Sequence, residues 1–230
     1  MNKNITNIAK KANLLLLDFD GTFYKFTEEF EKHCHEVAAR AALLIGAPLT
    51  MEEAMDLTAQ SYFTYGSSYV LLEKNYGLRV EDWMDAYHKE LDHSFIEASQ
   101  VTADQLHACQ IPLALLSHSV RLWIQGMLKK FGLRDVFPDE RIFAIEDVKY
   151  RLKLHSEDPY RHVLDRLGVE ATKTIVVEDT VRNLKPAKTL GMTTVLVTQG
   201  RSFSHAKHSY VDFVFADLPM FLKAIIKTEQ

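Results

Sequence analysis

The amino-acid sequence predicts an α/β protein: a doubly wound, Rossmann-like parallel sheet with a helical cap domain inserted after the first strand. Three observations predict it. From about residue 102 onward, short continuously apolar runs alternate with amphipathic segments, the pattern of parallel strands covered by helices on both faces. A run of the same kind, "NLLLLD" at 13–18, stands alone near the start of the chain. Between the two, residues 27–100 carry helical apolar spacing and no convincing strand. The expected layout is an α/β core over 1–24 and 101–230, with the helical cap over 25–100.

Each element has its own signal. "TEEFEKHCHEVAARAALLIG" is amphipathic and stops at Gly46, and "TMEEAMDLTAQSYF" opens on a Thr50/Glu53 capping box. "SSYVLLEKNYG" ends at a glycine, and "VEDWMDAYHKELDHSFI" is a further amphipathic segment. In the core, "TADQLHAC" has a Thr102/Gln105 capping box and leads into the strand "IPLALL". "SVRLWIQGMLKKFG" reads as a helix ending at Gly132, followed by the short strand "RIFAI". "DPYRHVLDRLG" has an aspartate to cap it, a proline in its first turn and a glycine stop. The strand "KTIVVE", the helix "TVRNLKPAKTLG", the strands "TTVLVT" and "DFVFA" and the helix "LPMFLKAII" complete the alternation.

Composition narrows the function. With 47% apolar and 25% charged residues the chain reads as an ordinary globular protein. A net charge of −4 without a basic stripe argues against a nucleic-acid partner. Nothing approaches the roughly 20 apolar residues of a membrane span. The lysines before the leucine run resemble a signal peptide, but the run is short, ends in acid and lacks a small-residue cleavage site. The expectation is a cytoplasmic protein, monomer or homodimer. Cys34 and Cys109 form no disulfide framework, and "HCH" at 33–35 does not put its residues on one helix face.

The chemistry lies where strands end, because open parallel sheets bind ligands at their carboxyl edges. "LLLLDFD" ends in Asp18 and Asp20, "LALLSHS" in Ser117, and "IVVED" in Glu178 and Asp179. Taken singly, Asp-Gly after a strand is an ordinary turn, and Ser117, Ser119, Asp179 or Thr180 could cap the helix that follows. Taken together, four carboxylates in one crevice repel one another unless a cation joins them. Hard oxygen ligands favour magnesium.

"DFDGT", "LLSHS" and "VVEDTVRNLKPAKTLGM", in that order and at strand ends, resemble the haloacid dehalogenase-like hydrolase superfamily across nearly the whole chain. "RNLKPAKTLGM" and the cap stretch "YGSSYVLLEKNYGL" resemble its pyrimidine 5′-nucleotidase branch. The resemblance implies that Asp18 is a nucleophile forming an aspartyl-phosphate, and that Asp20 protonates the leaving alcohol and then deprotonates water. Crowding by other carboxylates would suit Asp20 to act as an acid near neutral pH. Mg2+ would be held by Asp18, the backbone carbonyl of Asp20, and Asp179 with Glu178 nearby. The Ser117 hydroxyl and backbone N–H groups near His118 and Phe19 would hold phosphate oxygens. Dehalogenases of the superfamily lack an aspartate at the position of Asp20, so its presence favours phosphoester hydrolysis.

The sequence departs from the family at two places. The expected "KP" pair is absent from "EDVKYRLKLHSEDPYRHVL"; Lys153 lies one to three residues out of register, and Lys149 and Arg151 lie further away. Lys153 is the residue assigned to balance phosphoryl charge. Gly21 stands where the nucleotidase branch commonly has a second polar residue. In the cap, Tyr65, Ser67 and Ser68, around Gly66, are expected at a helix start where backbone N–H groups meet a substrate. Tyr62, Phe63, Tyr69, Trp83 and Tyr87 read either as a platform for a base or as cap core. The expected activity is a magnesium-dependent phosphatase for a small phosphorylated metabolite, with a pyrimidine nucleotide as the leading substrate. A sugar-phosphate or other metabolite phosphatase is the alternative enzyme, and a non-catalytic phosphate- or nucleotide-binding relative is the third reading.

Overall fold

A computed structural model describes residues 4–204 and 208–226. The chain divides into two compact units, one made of Met1–Lys25 with Ala98–Gln230 and the other of Phe26–Glu97.

In the first unit, the described residues form one six-stranded parallel sheet. Its strands are β1 (Leu14–Leu17), β2 (Leu113–Leu116), β3 (Ile142–Phe143), β4 (Thr174–Glu178), β5 (Thr193–Val197) and β6 (Phe213–Phe215), in the order β3-β2-β1-β4-β5-β6. The helices are α1 (Ile5–Ala9), α6 (Ala103–Ala108), α7 (Arg121–Lys130), α8 (Asp158–Leu167), α9 (Leu184–Thr189) and α10 (Leu218–Ile225). The apolar runs form strands because both of their faces are covered: all four leucines of β1 are fully buried. β1 pairs with β2 through Leu15↔Leu113 and with β4 through Leu15↔Ile175. The chain first builds outward from β1 to β3, then returns to the other side for β4 to β6. That reversal sets the ends of β1, β2 and β4 side by side at the topological switch point.

The second unit is helical: α2 (Glu28–Leu44), α3 (Met51–Tyr65), α4 (Val70–Tyr76) and α5 (Val80–Glu90). Thr27 caps α2, and Thr50 with Glu53 completes the capping box of α3. α5 stops at Glu90, with Leu91 extended and a 3-10 turn over His93–Phe95, so "VEDWMDAYHKELDHSFI" is not one helix.

Two expected caps are replaced. Asp158 is the first residue inside α8, and Ser156 Oγ accepts its N–H. Neither Ser117 nor Ser119 caps α7; the Arg121 N–H is taken by Glu146 Oε1 at 2.9 Å.

Candidate active site

The loop after β1 is pinned by its apolar residues. Phe19, Phe23 and Tyr24 are buried, with Phe19 and Phe23 ring centroids 5.2 Å apart and Phe23 against Phe137 at 5.8 Å. The Phe19 carbonyl accepts both the Thr22 and Phe23 N–H groups, so the chain turns at once and leaves the aspartates at the strand end. The Asp18 N–H still belongs to the sheet, donating to the Val177 carbonyl at 2.9 Å.

Gly21 has φ +80°, and a Cβ there would lie 2.4 Å from Asp179 Oδ2. A side chain at this position would therefore collide with a carboxylate already in place. This accounts for the glycine at position 21.

Lys153 is buried and reaches the middle of the site. Its ammonium lies 2.5 Å from Asp18 Oδ1 and 2.5 Å from Glu178 Oε1, and it donates to the Leu116 carbonyl at 3.1 Å. Its shift along the sequence thus does not keep it from the strand-end carboxylates. Lys149 is exposed, and Arg151 is exposed and pairs with Asp158.

Asp18 accepts a second bond at Oδ2 from the Thr22 hydroxyl, 3.1 Å. Glu178 Oε2 accepts the Thr180 N–H at 2.9 Å, and its Oε1 accepts Asn183 Nδ2 at 2.7 Å. Asp179 Oδ2 accepts from Arg201 at 2.7 Å.

The Asp20 carboxylate points elsewhere. Oδ2 accepts from Ser117 Oγ at 3.0 Å and Ser119 Oγ at 2.7 Å, while Oδ1 accepts from Trp123 Nε1 at 2.9 Å and from the Tyr24 hydroxyl. The expectation that Asp20 is the crowded carboxylate is therefore corrected: Asp18, Glu178 and Asp179 are crowded, and Asp20 sits among hydroxyls and an indole. The His118 ring turns to the lysine loop, where Nε2 accepts the Lys153 N–H at 2.8 Å.

The electrostatics follow from this partition. Burial, then Glu178, push the Asp18 carboxyl well above the ordinary range, against the pull of Lys153. Burial and Glu178 raise Asp179 to about 6, although Arg201 pulls it down. Burial alone would lower Lys153, but Asp18 and Glu178 outweigh it and raise its pKa, so the ammonium stays charged.

Carboxylate oxygens of Asp18, Glu178 and Asp179 lie within 4.8 Å of one another. Among the described residues the buried Asn183 Oδ1 has no hydrogen-bond partner, although the other end of its amide is bonded to Glu178. Three carboxylates, two of them with raised pKa values, offer hard oxygen ligands suited to a divalent cation such as Mg2+. The side chain of Asp20 is not in that set.

The cap residues are arranged differently from expectation. Tyr65 is the last residue of α3, Gly66 is left-handed behind it, and Lys74 Nζ lies 4.1 Å from the Tyr65 ring centroid. Ser61 Oγ donates to the Ser67 carbonyl at 2.6 Å and accepts the Leu71 N–H at 3.1 Å. One N–H of the α4 first turn thus already has its acceptor, and Ser68 does not cap it: Tyr69 precedes α4 with no side-chain cap. Trp83 is buried, stacks on Tyr87 at 4.7 Å and donates to the Ala38 carbonyl. It and the buried Tyr69 are core, whereas Tyr62 and Phe63 are exposed.

Sequence reasoning missed Trp123, Tyr24, Asn183 and Arg201, and it read Ser119 only as a helix cap. Arg201 follows β5 at the same sheet edge as the others, which is a usable signal. Trp123 lies within a run that reads simply as apolar and gave none.

The parallel Rossmann-like sheet thus carries an aspartate pair, a buried lysine and an acidic cluster at its carboxyl edge. A family model for haloacid dehalogenase-like hydrolases matches residues 15–197, and the chain belongs to that family. A glyceraldehyde 3-phosphate phosphatase of Methanocaldococcus jannaschii is 24% identical over 223 residues, covering 89% of this chain and 92% of the relative. Among solved structures, a HAD hydrolase of family IA, variant 3, from Entamoeba histolytica shares 20% identity at a TM-score of 0.64, covering 94% of this chain and 100% of its own. A HAD phosphatase from Thermococcus onnurineus shares 21% at 0.59, covering 92% and 96%. The L-2-haloacid dehalogenase of Xanthobacter autotrophicus, with chloropropionic acid covalently bound, shares 17% at 0.58, covering 94% and 99%. Phosphatase and dehalogenase alike have this fold, so the choice between them rests on the site. No helix of the described residues is long and apolar enough to cross a membrane.

Proposed function

We propose that the protein is a magnesium-dependent phosphatase acting on a small phosphorylated metabolite through an aspartyl-phosphate. The observation that carries this reading is the separation of the two aspartates: Asp18 stands against Lys153 and Thr22, while Asp20 is held by Ser117, Ser119, Trp123 and Tyr24. A halide leaving group needs no proton, whereas an alcohol does, and Asp20 is a second carboxyl kept apart from the nucleophile for that transfer.

In this mechanism an Asp18 oxygen attacks phosphorus, the bond from phosphorus to the alcohol oxygen breaks, and Asp20 gives that oxygen its proton. Water then attacks the aspartyl-phosphate, Asp20 takes its proton, and the bond to Asp18 breaks to release inorganic phosphate. Lys153 balances charge on the phosphoryl oxygens, and Ser117 with the N–H groups near Phe19 and His118 orients them. Asp18, Asp179, Glu178 and the Asp20 carbonyl would hold the cation, which when bound would offset the repulsion between phosphate and carboxylate. Residues 25–100 act as the cap that selects the substrate, with Tyr65, Ser67 and Ser68 the first positions to examine.

Two substrate readings have separate support. The cap stretch "YGSSYVLLEKNYGL" favours a pyrimidine nucleoside monophosphate, and the relationship to a glyceraldehyde 3-phosphate phosphatase favours a short sugar phosphate. A panel of UMP, CMP, triose and hexose phosphates and an aryl phosphate, assayed with Mg2+ and with Asp18→Asn as the blank, decides between them. Turnover confined to sugar phosphates rejects the nucleotide reading. The absence of any Mg2+-dependent difference between the wild type and Asp18→Asn rejects hydrolysis altogether and leaves a binding protein.

A further inference from the structure

Lys153 arrives at the site by an unusual route. No regular element covers residues 144–157, and no proline follows Lys153 to restrict its backbone. The segment is folded by local bonds instead: Ala144 N–H to Asp147 Oδ2 at 2.8 Å, Tyr150 N–H to the Ile145 carbonyl at 2.9 Å, and Arg151 N–H to the Val148 carbonyl at 3.2 Å. Lys149 and Tyr150 both adopt left-handed backbone, φ 55° and 58°, which reverses the chain without a glycine. Such a loop has several ways to settle, yet the ammonium must stand within hydrogen-bond distance of two carboxylates at once.

The end of β2 supplies the missing constraint. His118 follows Ser117 there, and its Nε2 accepts the Lys153 N–H at 2.8 Å. One residue on, the Ser119 carbonyl accepts the Ile145 N–H at 3.2 Å and so ties the start of the same loop. Burial, with Lys153 and His155 nearby, holds the imidazole below the ordinary histidine range, so the ring is neutral and able to accept.

We propose that His118 is a positioning residue, whose imidazole fixes the backbone of Lys153 and thereby sets the ammonium between Asp18 and Glu178. The proposal deepens the phosphatase reading and rests on it, since it assumes that Lys153 serves the phosphoryl group. The tripeptide Ser117–Ser119 then has two duties: its hydroxyls hold Asp20, the proton-transfer group, and its imidazole holds the charge-balancing lysine.

The test is a double-mutant cycle on aryl phosphate turnover with Mg2+, with a thermal melt of every variant. His118→Leu removes the acceptor, and a misplacement of about 1 Å is expected to lower kcat by roughly 10- to 100-fold with a smaller change in KM. His118→Gln places an amide oxygen near the position of Nε2 and recovers most of that loss; His118→Asn, which reaches only as far as Nδ1, does not. In a Lys153→Ala background, His118→Leu adds no further loss, because both changes act through one group.

If Lys153→Ala disables the enzyme while His118→Leu stays within about twofold of the wild type, the latch is overturned and the role of Lys153 survives. If the two losses multiply in the double variant, His118 acts directly or through the fold, and the proposal is again overturned. If Lys153→Ala turns over like the wild type, the underlying assignment of the lysine is what fails. Should His118→Leu not fold, the Gln and Asn variants carry the test, and equal losses in the two reject it.

Discussion

Replacing Lys153 by methionine removes one charge and keeps most of the side-chain volume. The ammonium lies 2.5 Å from both Asp18 and Glu178, and all three side chains are buried. Deleting one partner of such a buried arrangement costs about 3–5 kcal/mol, because the remaining charges lose their compensation. That is a large share of the roughly 5–15 kcal/mol that holds a domain together. At about 2–4 °C per kcal/mol for a chain of this size, the melting temperature at pH 8 falls by about 6–20 °C.

The sign with pH follows from Asp18, whose carboxyl is already raised in the folded state and is raised further without Lys153. A raised acid contributes stability that is present below its unfolded value of about 3.9 and lost as pH rises through the folded value. The penalty for Lys153→Met is therefore smaller at pH 5 than at pH 8. Thermal melts of both proteins across this range, in chelator, measure it. A melting temperature within about 2 °C of the wild type at pH 8, or a penalty that grows toward pH 5, refutes the reasoning.

Three further outcomes are expected. Gly21→Ala forces a Cβ to within 2.4 Å of Asp179 Oδ2 at φ +80°; it should cost about 1–3 kcal/mol by denaturant titration and weaken Mg2+ binding, and an unchanged midpoint would argue against the contact. Arg201→Gln removes the cation that competes for Asp179 Oδ2, so calorimetry should show tighter Mg2+ binding, and equal or weaker binding would count against that competition. Asp179, raised to about 6, must lose its proton to hold a cation; the rise in melting temperature with Mg2+ is therefore larger at pH 8 than at pH 5, and equal shifts would remove Asp179 from the donor set.

The strands were legible because a strand buried on both faces leaves an unbroken apolar run, as in Leu14–Leu17. The gathering of Asp18, Glu178 and Asp179 was legible for the same reason: once the strands are placed, their ends are placed too. The loops beyond the strand ends were harder to read. Nothing in the sequence marks left-handed backbone at Lys149 and Tyr150, so the reach of Lys153 could not be counted out in residues. Trp123 was hidden because an indole that donates to Asp20 looks, in a helical run, like any other core residue. The stop of α5 at Glu90 carries no glycine or proline, and the chain leaves the helix there without a local signal.

The site joins two kinds of chain that tolerate change very differently. Its carboxylates hang on β1 and β4, where a one-residue insertion would swap the face of every side chain beyond it and shift the strand-end carboxylates with them. Its lysine hangs on an aperiodic loop, where an extra residue costs little in closure entropy and breaks no ladder. Over generations of insertions and deletions, the acidic residues of such a site are locked to their strands, while the lysine can drift along the sequence as long as an acceptor such as His118 still catches it at the same point in space.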